Sequence, residues 1–84
     1  MTTERIIFKL AIPAETYLAV YKGHAKKIST LAVDGRRVEF SADKVRKFLT
    51  HEGVFGVFEM EITEEQKFLS IKRLRWLNIL ESKR

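Results

Sequence analysis

The 84-residue sequence predicts an α+β fold, built as a small twisted antiparallel sheet of four to five strands, with scope to curl toward a barrel, plus two short helices and a short C-terminal tail element. Three observations carry that expectation. Apolar residues alternate with polar ones near both ends of the chain, an Asp-Gly dipeptide separates two apolar runs, and two short stretches show helical spacing with the right residues at their ends.

Ile6, Phe8, Leu10 and Ile12 recur every second residue, with Arg5 and Lys9 between them, which is the pattern of a half-buried strand. Pro13 then fits the first turn of a helix, where its missing N–H costs nothing. Glu15 suits the positive end of that helix, and Lys22 with Gly23 closes it. The helix is expected over residues 13–22, with Tyr17, Leu18 and Tyr21 facing inward.

Asp34-Gly35 is a strong signal for a two-residue hairpin turn. That turn pairs Val33 with Arg36, Leu31 with Val38 and Ser29 with Phe40, and leaves Ile28 out of phase, which implies a bulge or a second covered face. Val45, Phe48 and Leu49 predict a second helix over residues 43–49, with Ser41 or Asp43 as cap. Val54, Gly56, Phe58, Met60 and Ile62 alternate along a further strand. A four-residue turn at residues 63–66 then places Met60 opposite Leu69 and Phe58 opposite Ile71. Gly53 is read as a helix-exit residue and Gly56 as a point of close approach. Residues 74–80 read as a short helix.

No repeat or linker divides the chain, so a single domain over residues 1–84 is expected, with 75–84 as an appended docking tail. There are no cysteines, so neither disulfides nor thiolate metal sites are available, and the reducing cytoplasm is the expected compartment. The first residues lack the pattern of a signal peptide, and no apolar run is long enough to span a membrane.

The formal charge is +5, but it is unevenly spread. Residues 22–47 hold eight bases and three acids, residues 52–65 hold five acids and no base, and the last thirteen residues hold five bases and one acid. Lys26, Lys27, Arg36, Arg37, Lys44, Arg46 and Lys47 are the candidates for contacting a nucleic acid or another anion. Trp76, Leu77, Ile79 and Leu80 are the candidates for docking a partner or covering an open sheet edge.

His24 and His51 lack the further ligands of a zinc motif. His51-Glu52 has no matching nucleophile, and Gly53 and Gly56 do not form a phosphate loop. The expectation is a protein that is not an enzyme and uses no cofactor or metal. It would act as an accessory or protein-interaction module, through self-association or an unidentified protein partner. Weak, sequence-independent nucleic-acid binding through the basic hairpin and second helix is the alternative.

Pro13-Ala14, Tyr21-Lys22-Gly23, the run Asp34-Gly35-Arg36-Arg37-Val38, and Phe40, Ala42, Phe48, Thr50, Glu52-Gly53-Val54, Gly56, Phe58 and Lys67-Phe68 together carry a resemblance. Across about residues 5–74 the chain resembles the bacterial domain of unknown function 2835 family. That resemblance implies a fold and a compartment, and supplies no catalytic residue.

Overall fold

The computed structural model describes residues 2–74. Its elements run β1 (Thr3–Pro13), α1 (Ala14–Lys22), β2 (Lys27–Leu31), β3 (Arg37–Ser41), a 3-10 helix here called η1 (Ala42–Phe48), β4 (Gly53–Thr63) and β5 (Phe68–Leu74). The expected tail helix and the tail residues Trp76, Leu77, Ile79 and Leu80 lie outside the described residues.

The fold class is α+β, as the sequence predicts, but among the described residues the strands form two sheets and no closed barrel. One sheet has three strands in the order β1-β4-β5, and the other is the β2-β3 hairpin. β1 and β4 pair along their full length, from Thr3 opposite Thr63 to Pro13 opposite Gly53, with Phe8 facing Phe58 between them. The smaller sheet meets the larger through one bridge, Phe8 to Ala32, and the Val33 N–H donates to the Ile7 carbonyl at 2.8 Å. Across the two sheets the order is thus β3-β2, then that bridge, then β1-β4-β5, and among the described residues β3 and β5 do not pair.

The inner face of the larger sheet is covered by α1, η1 and the β2-β3 hairpin. Ile6, Phe8 and Leu10 of β1 and Val54, Phe58 and Met60 of β4 are buried there. Phe8 packs against Phe40 and Phe58 at centroid separations of 5.3 and 6.1 Å, and Phe48 meets Phe58 edge-on at 5.0 Å. Such aromatic contacts add about 0.5–1.5 kcal/mol each beyond the area they bury. The opposite face, with Arg5, Ile7, Lys9, Phe55, Val57, Glu59 and Glu61, stays partly or fully exposed, as one face of an antiparallel sheet commonly does.

Four local expectations change. The first hairpin has a three-residue loop, with Gly35 donating its N–H to the Ala32 carbonyl and the Ala32 N–H bonding to Arg36. Gly35 holds the positive-φ position of that loop (φ 92°), and the Asp34 carboxylate accepts the Arg36 N–H at 3.0 Å. The pairing is therefore Ile28 to Phe40, Thr30 to Val38 and Leu31 to Arg37, one residue from the predicted register. A slip of one residue exchanges the faces of a strand. Ile28 and Ala32 accordingly enter the core without a bulge, while Leu31 and Val33 are 56% and 73% exposed.

The second hairpin pairs Met60 with Ile71 and Phe58 with Arg73 rather than with Leu69 and Ile71. A bulge leaves Leu69 without a partner, because Glu61 faces Ser70 while Ile62 faces Phe68. The side chain of Arg73 lies across Gly56, with Nε 2.7 Å from where a Cβ would stand.

The second helix is 3-10 rather than α. At about three residues per turn, Ala42, Val45 and Phe48 align as one inward stripe, and Lys44 and Lys47 fall on another. Ser41 caps it, its hydroxyl accepting the Asp43 N–H. Tyr17 of α1 is fully buried and donates its hydroxyl to the Ala42 carbonyl at 2.6 Å, tying α1 to η1. Leu18, expected to face inward, is exposed, and Val20 packs against the core instead.

Tyr17→Phe leaves the Ala42 carbonyl buried without its donor, and urea unfolding should show a loss of about 1–2 kcal/mol. Burial, and secondarily the charges of Tyr21 and Asp43, push the Tyr17 phenol above its usual value of 10.0. The neutral phenol therefore contributes stability that is complete below about pH 10 and is lost as pH rises through the raised folded value. The stability difference between wild type and Tyr17→Phe should shrink over that alkaline range. Two of the three positive-φ glycines, Gly35 and Gly53, should also separate cleanly. A Cβ at Gly53 would stand 2.0 Å from the Ile12 carbonyl oxygen, whereas one at Gly35 meets nothing within 4 Å. Thermal unfolding should show Gly35→Ala costing about 1–2 kcal/mol and Gly53→Ala more than about 3 kcal/mol.

Candidate functional site

The seam between β3 and β5 is the place where the antiparallel path fails to close, and the polar chemistry of the molecule collects there. η1 crosses it. Because η1 leaves β3 at Ser41 and turns Val45 and Phe48 inward, Lys44, Arg46 and Lys47 are directed away from the core.

Two depressions occupy the seam. The outer one is an open groove of about 670 Å³ with Asp43, Lys44, Arg46, Lys47 and Leu49 on the η1 side, three cations against one acid, and residues 68–71 of β5 on the other. The inner one is a cleft of about 270 Å³ between β3 and the β4-β5 hairpin. Its lining includes the buried Ile6, Val38, Phe40 and Met60 and the charged Glu4, Arg36, Arg37, Glu39 and Lys44. Arg37 and Glu39 alternate with Val38 and Phe40 along β3, and their side chains reach Ser29 and Lys27 of β2. Lys44 and Phe68 line both, with the Lys44 ammonium 4.5 Å from the Phe68 ring centre.

The other cations of η1 also lean on rings. The Arg46 guanidinium lies 5.4 Å from Tyr21 of α1, and the Lys47 ammonium 5.3 Å from Phe48. None of the three has a carboxylate within ion-pair distance among the described residues. The hairpin cations are more committed. Arg36 bridges Glu4 at 3.0 Å and Asp34 at 2.8 Å, and Lys27 reaches Glu39 at 3.6 Å. Arg37 donates only to the neutral Ser29 hydroxyl at 3.0 Å.

The seven basic candidates of the sequence therefore do not form one face. Lys44, Arg46 and Lys47 line the groove, Arg36, Arg37 and Lys44 line the cleft, and Lys26 and Lys27 line neither. Lys26 instead holds a positive-φ position beside β2, where its carbonyl accepts the Ala42 N–H. The β5 wall was not among the candidates, since edge status depends on which strands pair and residues 68–71 look like any other strand in the sequence. His51 and Glu52 sit exposed at the tip of a turn closed by hydrogen bonds between Thr50 and Gly53. Among the described residues, no three His, Asp or Glu side chains are grouped to hold a metal ion, and no helix is long and apolar enough to cross a membrane.

The path of β1 through β5 coincides with a recognised sequence unit. A family model described as a protein of unknown function (DUF2835) matches residues 4–74. The chain belongs to the DUF2835 family. The match opens within β1 and closes on the last residue of β5, so the DUF2835 unit includes every element that builds the seam. No curated protein and no solved structure matches the chain.

The Arg36 cluster gives a pH signature. The Arg36 backbone N–H, helped by its guanidinium, holds the Asp34 carboxyl below its usual value of 3.8. Its contribution is present above about pH 4 and is lost as pH falls through the depressed folded value. Asp34→Asn should flatten the acid limb of stability between about pH 4 and pH 2, measured by urea midpoints of the two proteins in parallel.

Proposed function

We propose that this DUF2835 chain is a non-enzymatic docking protein that receives an extended, acidic segment of a partner protein in the groove between η1 and β5. The observation that supports this reading is that, among the described residues, the outer edge of β5 has no strand beside it and the three η1 cations facing it have no carboxylate partner. An edge strand presents alternate unpaired N–H and C=O groups, which an extended segment can satisfy by adding a strand. The guest would then lie beneath Lys44, Arg46 and Lys47, where alternate acidic side chains gain electrostatic complementarity.

The edge also discourages pairing with itself. The bulge at Leu69 and the flanking Lys67, Lys72 and Arg73 interrupt a flat, neutral template, so a second β5 is a poor guest and an acidic strand a better one. Nucleic acid is less well served. Phe55, an exposed aromatic, belongs to the outer sheet face, and Lys27 and Arg36 already answer carboxylates. The absence of cysteine suits the reducing cytoplasm. Trp76, Leu77, Ile79 and Leu80 enter the proposal as a second contact to the same partner.

An amide-resolved NMR titration with a peptide of about eight residues alternating Glu and Val tests this. The expected result is saturable shifts at residues 44–47 and 68–71, weakened about tenfold by Arg46→Glu with Lys47→Glu. Ending the chain at Leu74 reports on the tail, and weaker capture of the natural partner is the expected effect. A peptide that shifts neither wall, or an oligothymidylate of equal charge that shifts both walls more strongly, would overturn the reading.

A further inference from the structure

β3, like β5, has an open side among the described residues. It runs Arg37–Ser41 beside β2, and its backbone groups divide by parity. The Ala32 N–H donates to the Arg36 carbonyl at 2.8 Å and the Ala42 N–H to the Lys26 carbonyl at 2.7 Å, which places the hydrogen-bonded pairs of the hairpin at even-numbered residues. Val38 and Phe40 therefore spend their N–H and C=O groups on Thr30 and Ile28. Those of Arg37 and Glu39 point to the outer edge. Among the described residues no strand answers them there, and the cleft runs along the chain from Arg36 to Ser41.

The side chains of that edge carry opposite charges two residues apart. Arg37 and Glu39 both lie on the outer face of the hairpin, Arg37 donating to the Ser29 hydroxyl at 3.0 Å and Glu39 standing 3.6 Å from the Lys27 ammonium. Arg37 has no carboxylate within ion-pair distance among the described residues. Charged side chains usually guard an edge by repelling a copy of themselves, as Lys67, Lys72 and Arg73 do along β5. A plus-minus alternation does the reverse. In an antiparallel pair related by a two-fold axis at Val38, Arg37 stands opposite Glu39 of the second copy and Glu39 opposite its Arg37. These are the residues whose N–H and C=O groups face outward, so the same register completes a ladder. An axis at Arg37 or at Glu39 also suits the backbone, but it sets like charges face to face.

We propose that β3 pairs with β3 of a second copy of this chain, antiparallel and two-fold about Val38, so that two hairpins join into one sheet in the order β2-β3-β3-β2. The ladder is short. Its backbone hydrogen bonds and reciprocal charge pairs have to offset the lost freedom of two molecules, so the dimer is weak and forms at high protein concentration. The cleft leaves the open side of β3 accessible to the incoming strand. Neither Arg46, Lys47 nor the outer edge of β5 takes part, so this contact stands apart from the docking groove.

Sedimentation velocity on the full chain between about 10 µM and 1 mM reads the association, with a dissociation constant of about 100 µM expected. Arg37→Glu places acid against acid and Glu39→Arg base against base. Each should weaken the dimer at least about tenfold while the melting temperature stays near that of wild type, since both side chains are exposed. An equimolar mixture of the two variants should associate again, because each supplies the charge the other lacks, and one chain carrying both substitutions should also dimerise. Arg46→Glu with Lys47→Glu should leave the dimer unchanged, which separates this contact from the groove. Amide exchange reports on the edge itself, and the N–H groups of Arg37 and Glu39 should be open at about 10 µM and protected at about 1 mM. A chain that stays monomeric to about 1 mM, single variants that dimerise like wild type, or a mixture that does not associate would each overturn the proposal. Protection of those two amides in the dilute monomer would overturn it too, by assigning the edge to another segment of the same chain, as would concentration-dependent shifts centred on Phe55 and Val57 of the outer face.

Discussion

The structure depends on one pairing, that of β1 with β4. Two eleven-residue strands, starting fifty residues apart, align without a break from Thr3 opposite Thr63 to Pro13 opposite Gly53. Everything between them in sequence has to start where β1 stops and return where β4 begins. α1 leaves β1 at Pro13, and the Ala14 N–H donates to the Glu52 carbonyl at 3.0 Å, so departure and return are pinned at one point. The intervening hairpin and η1 can then only fold back over the same face, where Phe8 and Phe58 already need cover.

That constraint explains why the sheet stays open. α1, η1 and the hairpin all compete for the inner face, and the Tyr17 hydroxyl fastens η1 where it separates β3 from β5. Val45 of η1 is fully buried and Phe48 packs against Phe58, so η1 contributes to the same interior that β1 and β4 line.

Much of this was legible in the residues. β1, α1 and β4 follow from period-two and helical spacing that agrees with its end signals, and local and global preferences coincide there. The hairpin registers were harder to read. Asp34-Gly35 fits both a two-residue turn and the last two positions of a three-residue loop, and the phase of Ile28 was the signal that chooses between them. In the second hairpin, the bulge at Leu69 leaves no mark in an apolar run. η1 shows how a spacing can be read twice, since Val45, Phe48 and Leu49 suit an α-helix while Ala42, Val45 and Phe48 fit three residues per turn. The candidate site was half visible. Its cations stood out as a cluster, but which of them answer carboxylates and which face an open edge depends on contacts such as Arg36 with Glu4, thirty-two residues away.

The single bridge between Phe8 and Ala32 has a consequence for how such a molecule can change. The residues that hold the frame, along β1 and β4, are different from those that line the seam, along β3, η1 and β5. Substitutions at Lys44 or Leu69 alter the surface of the seam without touching the ladder between β1 and β4. The fold thereby separates the inheritance of shape from the inheritance of surface, and members with the same frame are free to differ in the chemistry of the seam.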